Sequence, residues 1–308
     1  MAAVIVIGPP GSGKSTFCWG AYQLLSAVGR RCVVANIDPA NDRVPYPCDI
    51  NIQELVTLDE IMSREELGPN GGVIYALETL EENFEWLENK LKPLKDSFVL
   101  FDCPGQVELF THHDSLRRIL FRIEKLGRRP VIVHLVDAHY CTDAAKYISV
   151  LLLSLRAMLQ LDLPHINVLS KVDTLRQYGK LDFNLDFYTE VQDLSYLLPV
   201  LERDPRMTKY TALNAAVCTM IEDFGLVGFE TLCVEDKESM MRLLQTIDRV
   251  GGFNFGLTEI SGDEVWAQAT RGGWHHTMDA MDVQERWVDA VEEFDAAQVT
   301  AWKEEAAG

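Results

Sequence analysis

The sequence predicts an α/β fold in which a mostly parallel sheet is flanked by helices on both faces. Three observations point there. Five short runs of branched apolar residues read as fully buried strands, stretches of helical period follow most of them, and the first run leads straight into a glycine-rich turn that opens a helix. The runs are residues 3–7, 32–37, 98–101, 131–136 and 166–169, with helical periods at 15–28, 109–126 and 143–161 behind the first, third and fourth. A sixth strand is expected at 231–234, followed by a helix over 237–250.

Two stretches exceed a minimal strand–helix alternation. Residues 49–95 are polar and helix-like, and 181–222 carry leucine and aromatic spacing that predicts two helices. Both read as helical insertions at the edges of a domain spanning residues 1–250. From 251 to 308 the pattern decays into an acidic tail with tryptophans at 266, 274, 287 and 302, read as partly ordered with one or two short helices. Ordinary packing of those tryptophans is favoured over a partner-binding stretch.

Composition narrows the function. The chain has 308 residues, 47% of them hydrophobic, and 47 acidic against 28 basic side chains give a net charge of −19. That field repels nucleic acid and anionic membrane surfaces, so any polyanion must be held locally. Seven cysteines without a CxxC or Cys/His metal spacing read as reduced thiols of a cytoplasmic or nuclear protein. The apolar run at 2–7 is too short for a signal-peptide core, and no stretch approaches the roughly 20 apolar residues of a membrane span.

The chemistry starts at residues 8–16, GPPGSGKST, which satisfies GxxxxGK[ST] between a strand and a helix, the position a P-loop requires. Gly11, Ser12, Gly13 and Thr16 bring backbone N–H groups toward phosphate oxygens. Lys14 reaches the β- and γ-phosphates, and Ser15 offers a hydroxyl to Mg²⁺. The chain is thus predicted to be a P-loop NTPase. Residues 170–173, SKVD, follow a late strand: Asp173 can accept from the two edge donors of guanine that adenine lacks, Lys171 can lay its stem over the ring, and Ser170 precedes it.

Between these motifs, residues 98–106 form an apolar strand ending in DCPGQ. Asp102 is placed to hold Mg²⁺ through water, and Gly105 can present its N–H to the γ-phosphate. Gln106 is a candidate to orient the attacking water, with Glu108 two residues on as a substitute. Asp38, in NIDPAND at the end of the second strand, could reach the metal or the water, or serve only in a turn. His112 and His113 read as capping or surface residues, and His275 and His276 have no metal partners near them.

Together GPPGSGKST, NIDPAND, DCPGQVE, SKVD and Gly68-Pro69-Asn70-Gly71 resemble the GPN-loop GTPases, and residues 221–239 further resemble the eukaryotic second paralogue of that family. The likeness runs to about residue 250. It implies a fold of the signal-recognition and MinD class, binding of GTP and GDP with Mg²⁺, and GTP hydrolysis. It also implies homodimers, or heterodimers with a paralogue, in which Asn70 approaches the partner's phosphate. Its further implications are a role in assembly and nuclear import of RNA polymerase II, contact with polymerase subunits or assembly factors, and a cytoplasmic location with shuttling to the nucleus. Ser170 departs from the Asn of most GTPases, and Pro9 and Pro10 stand where MinD-like relatives carry a second lysine. Two other readings stay open: a P-loop kinase acting on a small metabolite or polynucleotide end, and a scaffold that holds nucleotide with little turnover. A kinase would need an Arg-rich lid, and the Arg pairs at 30–31, 117–118 and 128–129 are dispersed.

Overall fold

The computed structural model describes residues 2–203, 205–252 and 282–294. Strand β1 (Ala2–Ile7) is buried along its whole length and leads through the P-loop into α1 (Lys14–Ala27). Then come β2 (Cys32–Asn36), β3 (Cys48–Asn51), and the helices α2 (Leu58–Glu65), α3 (Pro69–Glu82) and α4 (Phe84–Leu91). β4 (Phe98–Asp102), α5 (Glu108–Thr111) and α6 (Asp114–Lys125) precede β5 (Arg129–Asp137) and α7 (Ala144–Leu161). β6 (His165–Ser170) is followed by α8 (Leu175–Tyr178), α9 (Leu185–Glu190), α10 (Leu197–Glu202) and α11 (Thr211–Phe224), and β7 (Phe229–Leu232) with α12 (Lys237–Val250) closes the series.

The strands form one seven-stranded sheet in the order β3-β2-β4-β1-β5-β6-β7, and every pairing is parallel. Strands buried on both faces explain why the apolar runs in the sequence are continuous rather than alternating. Within β1 the two-residue period sorts the side chains: Ala3, Ile5 and Ile7 face one core, and Ala2, Val4 and Val6 face the other. The first core is covered by α3, α6 and the end of α7, the second by α1 and α12. A third cluster lies beside β6, where α7, α9, α10 and α11 meet. The chain runs from β1 toward β2 on one side and from β4 across to β5 on the other, so the order reverses around β1. Ligands of open α/β sheets collect at the carboxyl ends of strands at such a reversal.

Five expectations need correction. Segment 49–95 is not wholly helical, because β3 pairs with β2 at its start; Cys-Asp-Ile-Asn does alternate apolar and polar residues, but four residues are too short a run to stand out beside the helical pattern that follows. Its helices also do not sit at a sheet edge: Val73, Leu77 and Leu80 pack in the same core as Ile5 and Phe101. Segment 181–222 folds as three α-helices instead of two. The sixth predicted strand lies two residues earlier, at β7, because pairing with β6 joins Asn167 to Phe229 and Ser170 to Leu232. Helix 109–126 is broken at His112 and His113; the His113 side chain accepts from the Ser115 N–H at 3.4 Å and caps α6.

α7 has the length and composition of a membrane-crossing helix, with a mean hydropathy of 1.3, but in this fold Tyr147, Leu151, Leu155 and Leu161 are buried in the core. In the tail, Val283, Trp287 and Val288 pack on the third cluster and Gln284 accepts from the Leu185 N–H at 2.9 Å. Trp266, Trp274, Trp302, His275 and His276 lie outside the described residues.

Candidate nucleotide site

Gly8 ends β1 at φ 146°, and a Cβ there would stand 2.2 Å from the Leu135 carbonyl oxygen, so β1 can turn into the loop only with glycine. Gly13, at φ 92°, is the N-cap of α1. The N–H groups that a helix leaves unsatisfied in its first turn, here from Lys14 to Thr16, therefore border the loop with the positive end of the helix dipole behind them. The Lys14 ammonium folds back onto the carbonyls of Gly8 at 3.0 Å and Pro9 at 3.2 Å. Burial pushes its pKa down, with Asp102 and Asp38 pulling the other way.

β4 delivers Asp102 to the same place. Its Oδ2 accepts from the Ser15 hydroxyl and from the Tyr46 hydroxyl, both at 2.7 Å. Burial raises the carboxyl's pKa, opposed by these two hydrogen bonds and by Lys14. Asn41 donates to Ser15 Oγ at 3.3 Å. Asp38 lines the cavity, and its Oδ1 accepts from the Ala40 N–H at 2.9 Å, the turn role that the sequence left open; burial raises its pKa too. Gly105 crosses the loop closely, since an added Cβ would lie 3.0 Å from Lys14 Nζ and 3.1 Å from Pro10.

A cavity of about 680 Å³ joins these elements. It brings together ten of the predicted site residues: Gly11, Gly13, Lys14, Ser15, Thr16, Asp38, Asn70, Gly105, Gln106 and Lys171. Ser12, Asp102 and Ser170 are buried immediately behind. Asn70 is the second residue of α3, with Pro69 at the first position, so the Gly-Pro-Asn tripeptide is a helix start and not a free turn between helices. Its side-chain oxygen accepts from Gln106 Nε2 at 3.3 Å within the same chain, while Gln106 Oε1 is buried without a partner. Two further predicted residues neither line this cavity nor sit directly behind it. Glu108 is exposed at the start of α5, and Asp173 lies beyond Lys171, beside the thiol of Cys233.

The rim is built by β5 and β6. The Ser170 hydroxyl lies 2.7 Å from the Ser12 carbonyl and 3.1 Å from that of Val136, tying β6 to the P-loop and to β5. Lys171, at a left-handed φ of 59°, extends over Gly13 and donates to Asp137 Oδ2 at 2.7 Å. Burial works against the Asp137 charge, but the bonds from Lys171 and His139 outweigh it and hold its carboxyl below the usual range. Tyr46 and Asp137 escaped the sequence reading. Pro-Tyr-Pro carries no chemical signature, whereas Asp137 at the carboxyl end of an apolar run was open to the rule that locates ligands in α/β sheets.

A family model described as "Conserved hypothetical ATP binding protein" matches residues 6–253. The chain is 54% identical over 292 residues to GPN-loop GTPase 2 of Schizosaccharomyces pombe, covering 94% of this chain and 92% of the relative. The chain belongs to the GPN-loop GTPases. Within the family it is also 52% identical to GPN-loop GTPase 2 of Danio rerio, over 93% of this chain and 92% of that one, and 54% identical to GPN-loop GTPase QQT1 of Arabidopsis thaliana, over 82% and 85%. A solved structure of a Pyrococcus abyssi GTPase in its apo form shares the fold, with a TM-score of 0.65 and 27% identity over 80% of this chain and 96% of that one. The description of the family model says ATP and the relatives' names say GTP, so the base is a question for the chemistry of the rim.

Proposed function

We propose that this GPN-loop GTPase binds GTP across the cavity above the P-loop and hydrolyses its β–γ phosphoanhydride. The observation that carries the reading is the convergence of Lys14, Ser15, Gly105, Gln106 and Asn70 on one cavity with Lys171 at its rim. GTP is preferred to ATP because Asp173 can accept from both edge donors of guanine, whereas adenine offers no such pair.

The donors fit a magnesium ion: a serine hydroxyl and a carboxylate oxygen lie side by side, and a second carboxylate lines the same cavity. Hard oxygen ligands few in number, completed by phosphates and water, suit Mg²⁺. Ser15 and Asp102 would hold it, with Asp38 in reserve, and bound there it would neutralise charge growing between the β- and γ-phosphates. Lys14 exchanges its two backbone carbonyls for phosphate oxygens, and Gly105 offers its N–H to the γ-phosphate. Gln106, with a free buried acceptor, orients the attacking water, and the amide of Asn70 fixes which way Gln106 faces. Glu108 stands outside this set and is kept only as the substitute.

The finer reading is that two chains act as a dimer, homomeric or with a paralogue, in assembly and nuclear import of RNA polymerase II, in the cytoplasm with passage to the nucleus. Family membership is its support. Binding of GTP and ATP, then formation of nucleoside diphosphate and of free phosphate with and without an added phosphate acceptor, tests the activity: tighter GTP binding and acceptor-independent release of free phosphate support a GTPase, whereas diphosphate formed only with the acceptor, and without free phosphate, would make it a kinase. Mixing Asn70→Ala with Lys14→Ala chains tests the dimer. Recovery of activity means that Asn70 serves the partner's site; no recovery despite subunit exchange leaves it acting in its own chain, on Gln106. Co-purification of tagged chain with polymerase subunits tests the cellular role.

A further inference from the structure

Asp137 sits at the carboxyl end of β5, level with Ser170 in the sheet and 8% exposed. Its two oxygens have separate duties. Oδ1 accepts from the His139 N–H at 3.0 Å and lies 3.1 Å from His139 Nδ1, which anchors the carboxylate to the loop that follows. Oδ2 takes the ammonium of Lys171 at 2.7 Å. On the way to that ion pair the lysine stem passes beside the P-loop, its Cε about 4.0 Å from the position of a Cβ on Gly13.

A lysine at the rim of an anion-binding loop has a better option than crossing it: its flexible stem can turn the ammonium toward the phosphates, where Lys14 already works. A fixed carboxylate at the end of the neighbouring strand β5 removes that option and selects one rotamer. Lys171 is further committed by its backbone, which holds a left-handed φ that residues other than glycine rarely adopt. The stem is thereby a flat apolar surface of set height, flanked by Asp173 two residues on.

We propose that Asp137 is a positioning residue for the nucleobase: by gripping the Lys171 ammonium it holds the lysine stem as the surface on which guanine lies, and it keeps that charge away from the phosphates. The inference rests on the GTP reading above and deepens it. It makes Asp137 support binding of the base half of the ligand and not of the triphosphate half, which a general structural role would not do.

The test uses the full chain and compares two probes, GTP and inorganic tripolyphosphate, each with Mg²⁺. Asp137→Asn is expected to raise the GTP dissociation constant about ten-fold, the scale of one lost charge-assisted contact, and to leave tripolyphosphate binding as tight or tighter, because the freed ammonium can turn to the phosphates. Asp137→Glu, which keeps the charge, is expected to recover most of the loss. Lys171→Ala with Asp137→Asn is expected to bind GTP no more weakly than Lys171→Ala alone, because the carboxylate acts through the lysine. A parallel loss for tripolyphosphate, or losses that multiply in the double variant, would overturn the proposal. Failure of the underlying reading shows earlier and differently: the unaltered chain would bind ATP as well as GTP.

Discussion

The phosphate half and the base half of this site are built on opposite plans. Around the phosphates, side chains are bonded to one another before any ligand arrives: Lys14 to the loop carbonyls, Ser15 and Tyr46 to a single oxygen of Asp102, Asn41 to Ser15. Around the base, the side-chain ties that hold the rim are those of Asp137 to Lys171 and His139, and the Ser170 hydroxyl reaches backbone carbonyls. A dense network resists change at any member, whereas a sparse one can be re-aimed by a single substitution. Damage to the first half should abolish binding, and damage to the second should change what is bound.

The largest expected effect tests the first half of that statement. Lys14→Ala should weaken triphosphate binding at least a hundred-fold, because a charge-assisted contact to two phosphates is lost and each ~1.4 kcal/mol is ten-fold. Calorimetric titration with GTP checks it, and undiminished binding would take the P-loop out of the mechanism. In the second half, Asp173→Asn should cost GTP about a hundred-fold while improving xanthosine triphosphate, whose ring oxygen can accept from the new amide. Competition between the two nucleotides reads the switch directly, and an equal loss for GTP and ATP would disprove base reading by Asp173.

Gln106→Leu should leave GTP binding within a few-fold and lower the rate of hydrolysis about ten-fold or more, since its contact is made chiefly in the transition state. Single-turnover kinetics separate the two, and an unchanged rate would pass the water to Asp38 or Glu108. Tyr46→Phe removes one of the two hydroxyls on Asp102 and should raise the Mg²⁺ concentration for half-maximal GTP binding about ten-fold, as losses behind a metal ligand do. No shift in the Mg²⁺ titration would make Tyr46 a packing residue only.

The smallest effect concerns protonation. Burial raises the pKa of Asp38 and Asp102, and the bonds to Asp137 lower its own. A raised carboxyl takes its proton at a higher pH than a lowered one. On acidification the Mg²⁺ dependence of GTP binding should therefore decay first, and the advantage of GTP over tripolyphosphate that Asp137 supports last. Finding that advantage lost first would reverse the roles given to Asp137 and to the Asp38 and Asp102 pair.

The phosphate half was also the more legible in the sequence. GPPGSGKST and DCPGQ are local signatures, each contained in one strand and the turn after it, and both fell where a parallel sheet puts its ligand. The rim is nonlocal: Asp137 and Lys171 are 34 residues apart and meet only because β5 and β6 pair in register. The same distinction runs through the fold. β1 and β4 could be read because both of their faces are buried, while β3 is a four-residue edge strand with one fully buried side chain, whose pairing with β2 exists only in the assembled sheet. The break at His112 and His113 depends on a capping contact that helical period does not register. Tyr46 reaches Asp102 across 56 residues, a contact that no spacing encodes.

Cys18 on α1 and Cys103 next to Asp102 are sealed on either side of the phosphate half, 0% and 1% exposed, and burial pushes both thiols well up and away from the reactive thiolate. A modifying reagent can meet them only when the shell around the P-loop comes apart. The molecule thus carries its own chronometer. The rate at which these two sulfurs are labelled counts the openings of the phosphate shell, and its slowing by nucleotide would measure, without any attached probe, how firmly the ligand keeps the shell shut.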